Sequence, residues 1–96
     1  MDIHSFRELI LRGQYLVSAH ADTERAREGF RLEDLLSCVH SGDIIATDTD
    51  EVRGTEYLIE GLSANRIRMR VKLGVADQGE AVFITVYARR AKRRGR

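Results

Sequence analysis

Residues 66–72 read Arg-Ile-Arg-Met-Arg-Val-Lys, and cationic side chains alternate strictly with apolar ones along this stretch. Because successive side chains of a β-strand point to opposite faces, the pattern predicts a strand with one apolar face and one cationic face. Either the cations bind the phosphate backbone of a nucleic acid, or Glu56 and Glu60 on the neighbouring strand balance their charge. The four cations are Arg66, Arg68, Arg70 and Lys72.

This stretch belongs to the third of four strand-like segments in the second half of the chain. Short connections rich in Asp, Gly, Asn and Ser separate the segments, and these residues tolerate turn conformations. Connections this short join antiparallel neighbours, so we predict a sheet of three or four antiparallel strands. The segments are residues 43–49, 55–62, 66–75 and 81–88.

The first part of the chain has helical patterns instead. An amphipathic helix is predicted over residues 2–12, and helix formers occupy residues 21–28. A further apolar stripe covers residues 32–39, while residues 15–17 form a short strand or a linker. The prediction is an α+β fold with two or three N-terminal helices packed on the sheet. The expected core comprises Ile67, Met69, Val71, Val82, Ile84 and Val86 of the sheet, under Leu9, Leu35, Leu36 and Val39 of the helices.

Length and composition predict one soluble domain. The chain has 96 residues, of which 43% are hydrophobic and 32% charged, so it has room for a single core. We assign residues 1–88 to the domain and residues 89–96 to a basic C-terminal tail. The longest apolar stretch is far shorter than the roughly 20 residues that span a bilayer, and the N-terminus lacks a secretory signal pattern. The expected location is cytoplasmic, without membrane contact.

Acidic and basic residues separate along the chain. Residues 1–65 hold 13 acidic and 6 basic side chains, whereas residues 66–96 hold 2 acidic and 10 basic ones. This asymmetry predicts an acidic surface and a basic surface that suits a polyanion, unless the two neutralise each other. The cations of the tail include Arg89, Arg90, Lys92, Arg93 and Arg94.

Three further side chains could carry chemistry. Thr85 and Tyr87 share one face of the last strand, and a tyrosine can stack on a base or donate its phenolic proton. Half-buried packing is the alternative for Tyr87. His20 could act as a general acid or base near neutral pH, or it could cap or pack against a helix.

The sequence predicts no cofactor and no metal. It contains no phosphate-binding glycine loop, no dinucleotide fingerprint and no nucleophile elbow. No two histidines stand at metal-ligand spacing, and Cys38 is the only cysteine.

Five segments, in their order and spacing, resemble a bacterial family of small domains of unknown function placed beside the RelE and BrnT toxins. The resemblance covers about residues 9–88. Family members often carry an arginine four residues beyond the histidine, where this chain has Glu24. The segments are Ser18-Ala-His20-Ala21, Gly29-Phe-Arg-Leu-Glu-Asp34-Leu, Gly42-Asp-Ile-Ile, Arg53-Gly54-Thr-Glu-Tyr57-Leu-Ile-Glu-Gly61 and Ile84-Thr85-Val86-Tyr87.

The resemblance implies a RelE-like fold and the toxin of a toxin-antitoxin system. Such a toxin would cleave RNA without metal by attack of the ribose 2′-hydroxyl, free or on the ribosome, and a neighbouring antitoxin would bind it. His20 and Tyr87 would then move protons while Arg53, Arg68 and Arg89 hold the phosphate. The alternative is a noncatalytic module of the same fold that binds nucleic acid or protein. If the chain binds RNA, the alternating strand and the basic tail indicate that the RNA-binding residues are Arg66, Arg68, Arg70, Lys72, Thr85, Arg90, Lys92, Arg93 and Arg94.

Overall fold

The structure is a computed structural model, and it describes residues 1–52 and 54–89. Helices form in the first part of the chain and strands mainly in the second, so the predicted α+β class is confirmed. The helices are α1 (Ile3–Leu11), α2 (Ala19–Glu28) and α3 (Leu32–Ser41). The strands are β1 (Tyr15–Val17), β2 (Asp43–Asp50), β3 (Gly54–Leu62), β4 (Arg68–Val75) and β5 (Ala81–Ala88).

The strands form one mixed sheet in the order β1-β5-β4-β3-β2. The four predicted strands are present, and each pairs antiparallel with its neighbour along the chain. β1 adds a fifth strand that runs parallel to β5, with Leu16 opposite Val82. A three-residue strand is too short for its periodicity to indicate a partner or a direction, so the sequence predicts only a short strand or a linker here.

Local signals explain where α2 begins and ends. The Ser18 hydroxyl accepts a hydrogen bond from the Ala21 backbone N–H at 3.0 Å, which satisfies one of the free amides of the first turn. Gly29 ends the helix in the left-handed conformation at φ 81°, which glycine adopts without the penalty of a Cβ atom. These two residues separate α2 from β1 and from α3.

α1 and α3 cover one face of the sheet, and the core lies between these helices and the sheet. α3 approaches β3 so closely that a Cβ atom on Gly61 would overlap the carbonyl oxygen of Cys38. The glycine is therefore required by the distance between helix and sheet. The fully buried core side chains include Phe6, Leu35, Cys38, Val39, Ile59, Met69, Val71, Leu73, Phe83 and Val86.

The predicted core is correct in its helices and in part of its strands. Leu35, Val39, Met69, Val71 and Val86 are buried, and Leu9 and Leu36 pack against them. The assignment of Val82 and Ile84 to the core face is wrong. The β4–β5 register shifts between Lys72 and Leu73, which pair with Thr85 and Phe83, so Ile84 is an extra residue in a β-bulge. The bulge reverses the alternation, and Phe83 enters the core while Val82 and Ile84 lie on the opposite face.

The start of the third predicted strand also differs from the prediction. Arg66 lies in the connection between β3 and β4 at φ 66°, outside the strand, and Ile67 is 51% exposed. Ser63 holds this connection together, since its hydroxyl accepts hydrogen bonds from the backbone N–H groups of Asn65 and Ile67. Three of the four predicted cations, Arg68, Arg70 and Lys72, therefore share the strand.

Among the described residues, no helix is both long and apolar enough to cross a membrane. The tail prediction for residues 89–96 lies outside the described residues except for Arg89, which follows β5.

Candidate functional site

The face of the sheet opposite α1 and α3, called here the open face, carries charged side chains of β3 and β4 and hydroxyl side chains of β5. β3 contributes Glu56 and Glu60, and the three cations of β4 lie opposite them. Thr85 and Tyr87 of β5 pair with Lys72 and Arg70, so they belong to the same face. The alternation on β4 and β5 thus places the predicted cations beside the predicted hydroxyl groups.

At one end of the open face, three guanidinium groups converge on one carboxylate. Glu60 lies 3.0 Å from Arg89 Nε, 3.2 Å from Arg70 Nε and 3.7 Å from Arg68 Nη1. The side chain of Glu60 is 19% exposed, whereas that of Arg68 is 58% exposed. With Tyr87, these residues form what we call the Glu60 cluster: Glu60, Arg68, Arg70, Tyr87 and Arg89.

Tyr87 joins the cluster through Arg70, its partner across the β4–β5 ladder. Hydrogen bonding to the Tyr87 phenol, and then to the Glu60 carboxylate, raises the pKa of the Arg70 guanidinium above its ordinary value. The cation is therefore fixed between a phenol and a carboxylate. The Glu60 cluster thus brings a phenol, a carboxylate and three cations to one end of the open face.

The two interpretations of the cationic face both find support in this geometry. Glu60 and Glu56 do pair with cations, and Lys72 Nζ lies 3.7 Å from Glu56 Oε1. The pairing is unequal at the Glu60 cluster, where one carboxylate meets three arginines. An excess of positive charge therefore remains there for an anion from solution.

His20 lies apart from the cluster, at the start of α2. Its Nε2 atom is 3.2 Å from Glu24 Oε2, and its side chain is 69% exposed. The other oxygen of Glu24 accepts a hydrogen bond from the Val86 backbone N–H at 2.9 Å. Within residues 1–52 and 54–89, no polar contact joins His20 to the Glu60 cluster. Glu24, at the position where the resembled family often has arginine, thus covers the free edge of β5 beyond the end of β1.

Other predicted site residues are distributed as follows. Thr85 faces Lys72 on the open face, and Arg66 is exposed in the β3–β4 connection. Arg53 and the tail residues Arg90, Lys92, Arg93 and Arg94 lie outside the described residues. The described part of the site is therefore built from β3, β4, β5 and Arg89.

Two buried groups have structural roles. Burial raises the pKa of the Cys38 thiol to about 12, which keeps it protonated and poorly nucleophilic at neutral pH. Asp34 is 6% exposed, and its carboxylate accepts hydrogen bonds from the Arg31 and Ala64 backbone N–H groups. It ties the start of α3 to the β3–β4 connection. No group of three or more metal-binding side chains occurs among the described residues.

The sequence indicated Glu60 only as a counter-charge, and its position at the centre of the cluster was missed. Two signals were present: its spacing of four residues from Glu56 in a strand, and the basic stretch in the next strand of the chain. Neither indicates that Arg68, Arg70 and Arg89 meet at one carboxylate, because Arg89 arrives there only through the register of β5 against β4.

A comparison with protein families finds one relationship. The family model described as "Domain of unknown function (DUF4258)" matches residues 17–88, which is most of the chain. The chain therefore belongs to this family. No curated protein and no solved structure is significantly similar to it.

Proposed function

We propose that this member of a family of unknown function is an endoribonuclease of the toxin type, similar in fold and chemistry to the RelE-like toxins. The observation that carries the proposal is the convergence of Arg68, Arg70 and Arg89 on Glu60 beside Tyr87. Cleavage by a 2′-hydroxyl requires a proton acceptor, a proton donor and cations that stabilise the charge developing on phosphorus. The cluster contains all three kinds of group.

The proposed reaction uses the cluster as follows. The arginines bind the phosphate between two nucleotides, and Glu60 accepts the proton of the ribose 2′-hydroxyl. The 2′-oxygen attacks phosphorus, the bond from phosphorus to the 5′-oxygen breaks, and Tyr87 gives its proton to that oxygen. The products are a 2′,3′-cyclic phosphate and a free 5′-hydroxyl. We assign the base to Glu60 in preference to His20, because Glu60 lies among the phosphate-binding groups.

The test compares cleavage of a labelled RNA by the full chain and by Glu60→Gln and Tyr87→Phe variants, in EDTA. Each variant should reduce the cleavage rate about a hundredfold or more, since general acid or base groups contribute roughly 10²–10⁴-fold. Glu8→Gln on α1 is a matched control for the lost carboxylate and should cleave normally. His20→Ala should change the rate by only a few fold. A large loss in His20→Ala with normal rates in Glu60→Gln would transfer the base to the histidine.

The second candidate is a noncatalytic module that binds nucleic acid or a protein partner such as an antitoxin. It is favoured by the pairing of Glu56 and Glu60 with the cations of β4, which a purely structural face would also show. RNA binding without cleavage in the wild-type chain would support this module. Growth arrest on expression of the wild-type chain, absent in Tyr87→Phe, would support the toxin.

A further inference from the structure

The open face carries a second feature beyond the Glu60 cluster, a shallow groove at the other end of β3. The groove encloses about 370 Å³. Its lining is apolar except for one carboxylate, and it is open to solvent along one side. The lining residues are Glu56, Gly74, Val75, Val82 and Ile84.

The β-bulge in β5 creates this groove. Because Ile84 is the extra residue, Val82 and Ile84 turn away from the core and present a branched apolar wall to the open face. Gly74 opposite them has no side chain, and a Cβ atom there would lie 3.0 Å from Ile84 Cδ1. The glycine therefore leaves the floor of the groove flat.

Glu56 is the polar group of the groove. Its side chain is only 11% exposed, and one of its oxygens lies 3.7 Å from Lys72 Nζ. A carboxylate that is largely shielded from water accepts hydrogen bonds strongly from N–H donors. A flat apolar ligand with N–H donors on its edge matches a floor and wall of this kind.

We propose that this groove binds a guanine base of the RNA strand whose phosphates lie on the Glu60 cluster. The inference rests on the proposed RNA-binding function. Glu56 and Glu60 are four residues apart on β3, or about 13 Å at roughly 3.3 Å per residue. A single strand of RNA is therefore long enough to contact both residues. Guanine offers its N1–H and N2–H donors side by side to the two carboxylate oxygens. Uracil presents a single N3–H donor between two carbonyl oxygens, which the carboxylate repels.

The experiment measures binding of the full chain to four fluorescent RNA hexamers by anisotropy. The hexamers are oligouridines that differ in one central base. The wild-type chain should bind the guanine hexamer about tenfold more tightly than the all-uridine one, since a bidentate contact discriminates strongly between bases. Glu56→Gln should reduce this ratio to about one, because an amide offers one donor in place of one acceptor.

Two further variants separate the effect of the base contact from charge and shape. Asp77→Asn removes an exposed carboxylate from the β4–β5 turn and should keep the tenfold ratio. Gly74→Ala leaves the charge unchanged but narrows the groove. It should reduce the preference for the guanine hexamer without weakening binding of the all-uridine hexamer. Glu56→Gln also frees Lys72 from its ion pair, so all four hexamers should bind more tightly by a similar factor. The ratio of their affinities therefore remains the readout.

Failure of the guanine site can be distinguished from failure of RNA binding as a whole. Equal binding of all four hexamers by the wild-type chain overturns the guanine site and leaves RNA binding intact. A guanine preference that persists in Glu56→Gln and in Gly74→Ala also overturns it, because the base is then read elsewhere. If no hexamer binds at low salt, the proposed RNA function falls together with the guanine site, and a protein partner becomes the better explanation for this face.

Discussion

The two faces of one sheet are built from the same strands and differ in almost every physical property. On the closed face, side chains such as Ile59 and Val71 are fully buried under α1 and α3. On the open face, the adjacent residues Glu60 and Arg70 keep 19% and 25% of their side chains exposed and pair with each other. A strand that alternates with a period of two thus places one set of residues in the core and the other set on the open face.

The comparison assigns stability and function to different residues of the same segment. Substitutions on the closed face should lower the free energy of unfolding and leave the intrinsic affinity for RNA unchanged. Substitutions on the open face should change the affinity for RNA and have a smaller effect on the free energy of unfolding. The β-bulge at Ile84 is where the assignment changes within β5, so it provides the sharpest test.

Phe83→Ala should have the largest effect on stability. Phe83 is fully buried and packs edge-on against Tyr15 at a centroid distance of 6.2 Å, so its truncation should cost about 3–5 kcal/mol. Ile84→Ala, one residue along, should cost about 1 kcal/mol because Ile84 is partly exposed. Urea denaturation of the two variants measures both values. A greater loss in Ile84→Ala would mean that the bulge is misplaced and the faces are reversed.

Gly61→Ala should come next. The added methyl group meets the Cys38 carbonyl oxygen, and backbone cannot move as easily as a side chain, so overpacking should cost about 1–3 kcal/mol or more. Gly74→Ala is the matched control on the open face, where the nearest atom is the flexible end of Ile84. Thermal unfolding should show a clear fall in melting temperature for Gly61→Ala and little change for Gly74→Ala. Equal falls would argue against the close approach of α3 to β3.

The folded chain should also become less stable at alkaline pH, because of the Cys38 thiol buried under the closed face. The pKa of Cys38 is raised from 9.0 to about 12 in the folded chain by burial, so the folded state keeps its proton where the unfolded state loses it. This contribution is complete below pH 9 and is lost as pH rises towards 12, at about 1.4 kcal/mol per pH unit. The free energy of unfolding of the wild-type chain, relative to Cys38→Ala, should decline between pH 9 and 10.5. A constant difference would contradict the burial of the thiol.

Glu24→Ala should have the smallest effect of the four, about 1 kcal/mol. The substitution leaves the Val86 backbone N–H at the β5 edge without its acceptor. Glu24→Gln retains an acceptor and should lose less. His20→Ala removes only an exposed partner of Glu24, so its stability should match the wild type. A large loss in His20→Ala would make the histidine a structural residue.

The sequence predicted most of this fold because periodicity is a local property. The four antiparallel strands, the three helical stretches and the buried Met69 and Val71 all follow from patterns within about ten residues. The bulge at Ile84 was missed since an apolar run such as residues 81–86 reads the same with or without an extra residue. The pairing of β1 with β5 was missed for a related reason, because it joins segments that are far apart in the chain.

The candidate site was predicted in its ingredients and not in its assembly. The alternation on β4 indicated a cationic face, and the position of Tyr87 on that face was inferred correctly. His20 was grouped with Tyr87 through the family resemblance, and the structure pairs it with Glu24. The convergence on Glu60 depends on the register between three strands, which no single segment encodes.

The salt dependence of RNA binding tests most directly whether the open face is the binding surface. For single strands, the logarithm of the binding constant falls with the logarithm of salt concentration by about 0.7 for each phosphate neutralised. An Arg68→Gln, Arg70→Gln double variant should therefore bind RNA more weakly, with a slope about 1.4 shallower than that of the wild type. The matched double variant Arg12→Gln, Arg27→Gln removes two exposed arginines, one just after α1 and one in α2, and should retain the wild-type slope. Equal slopes for all three proteins would show that Arg68 and Arg70 do not neutralise RNA phosphates, and would contradict the account. An unfolded Arg68→Gln, Arg70→Gln variant would show that these arginines serve the fold, which also contradicts it.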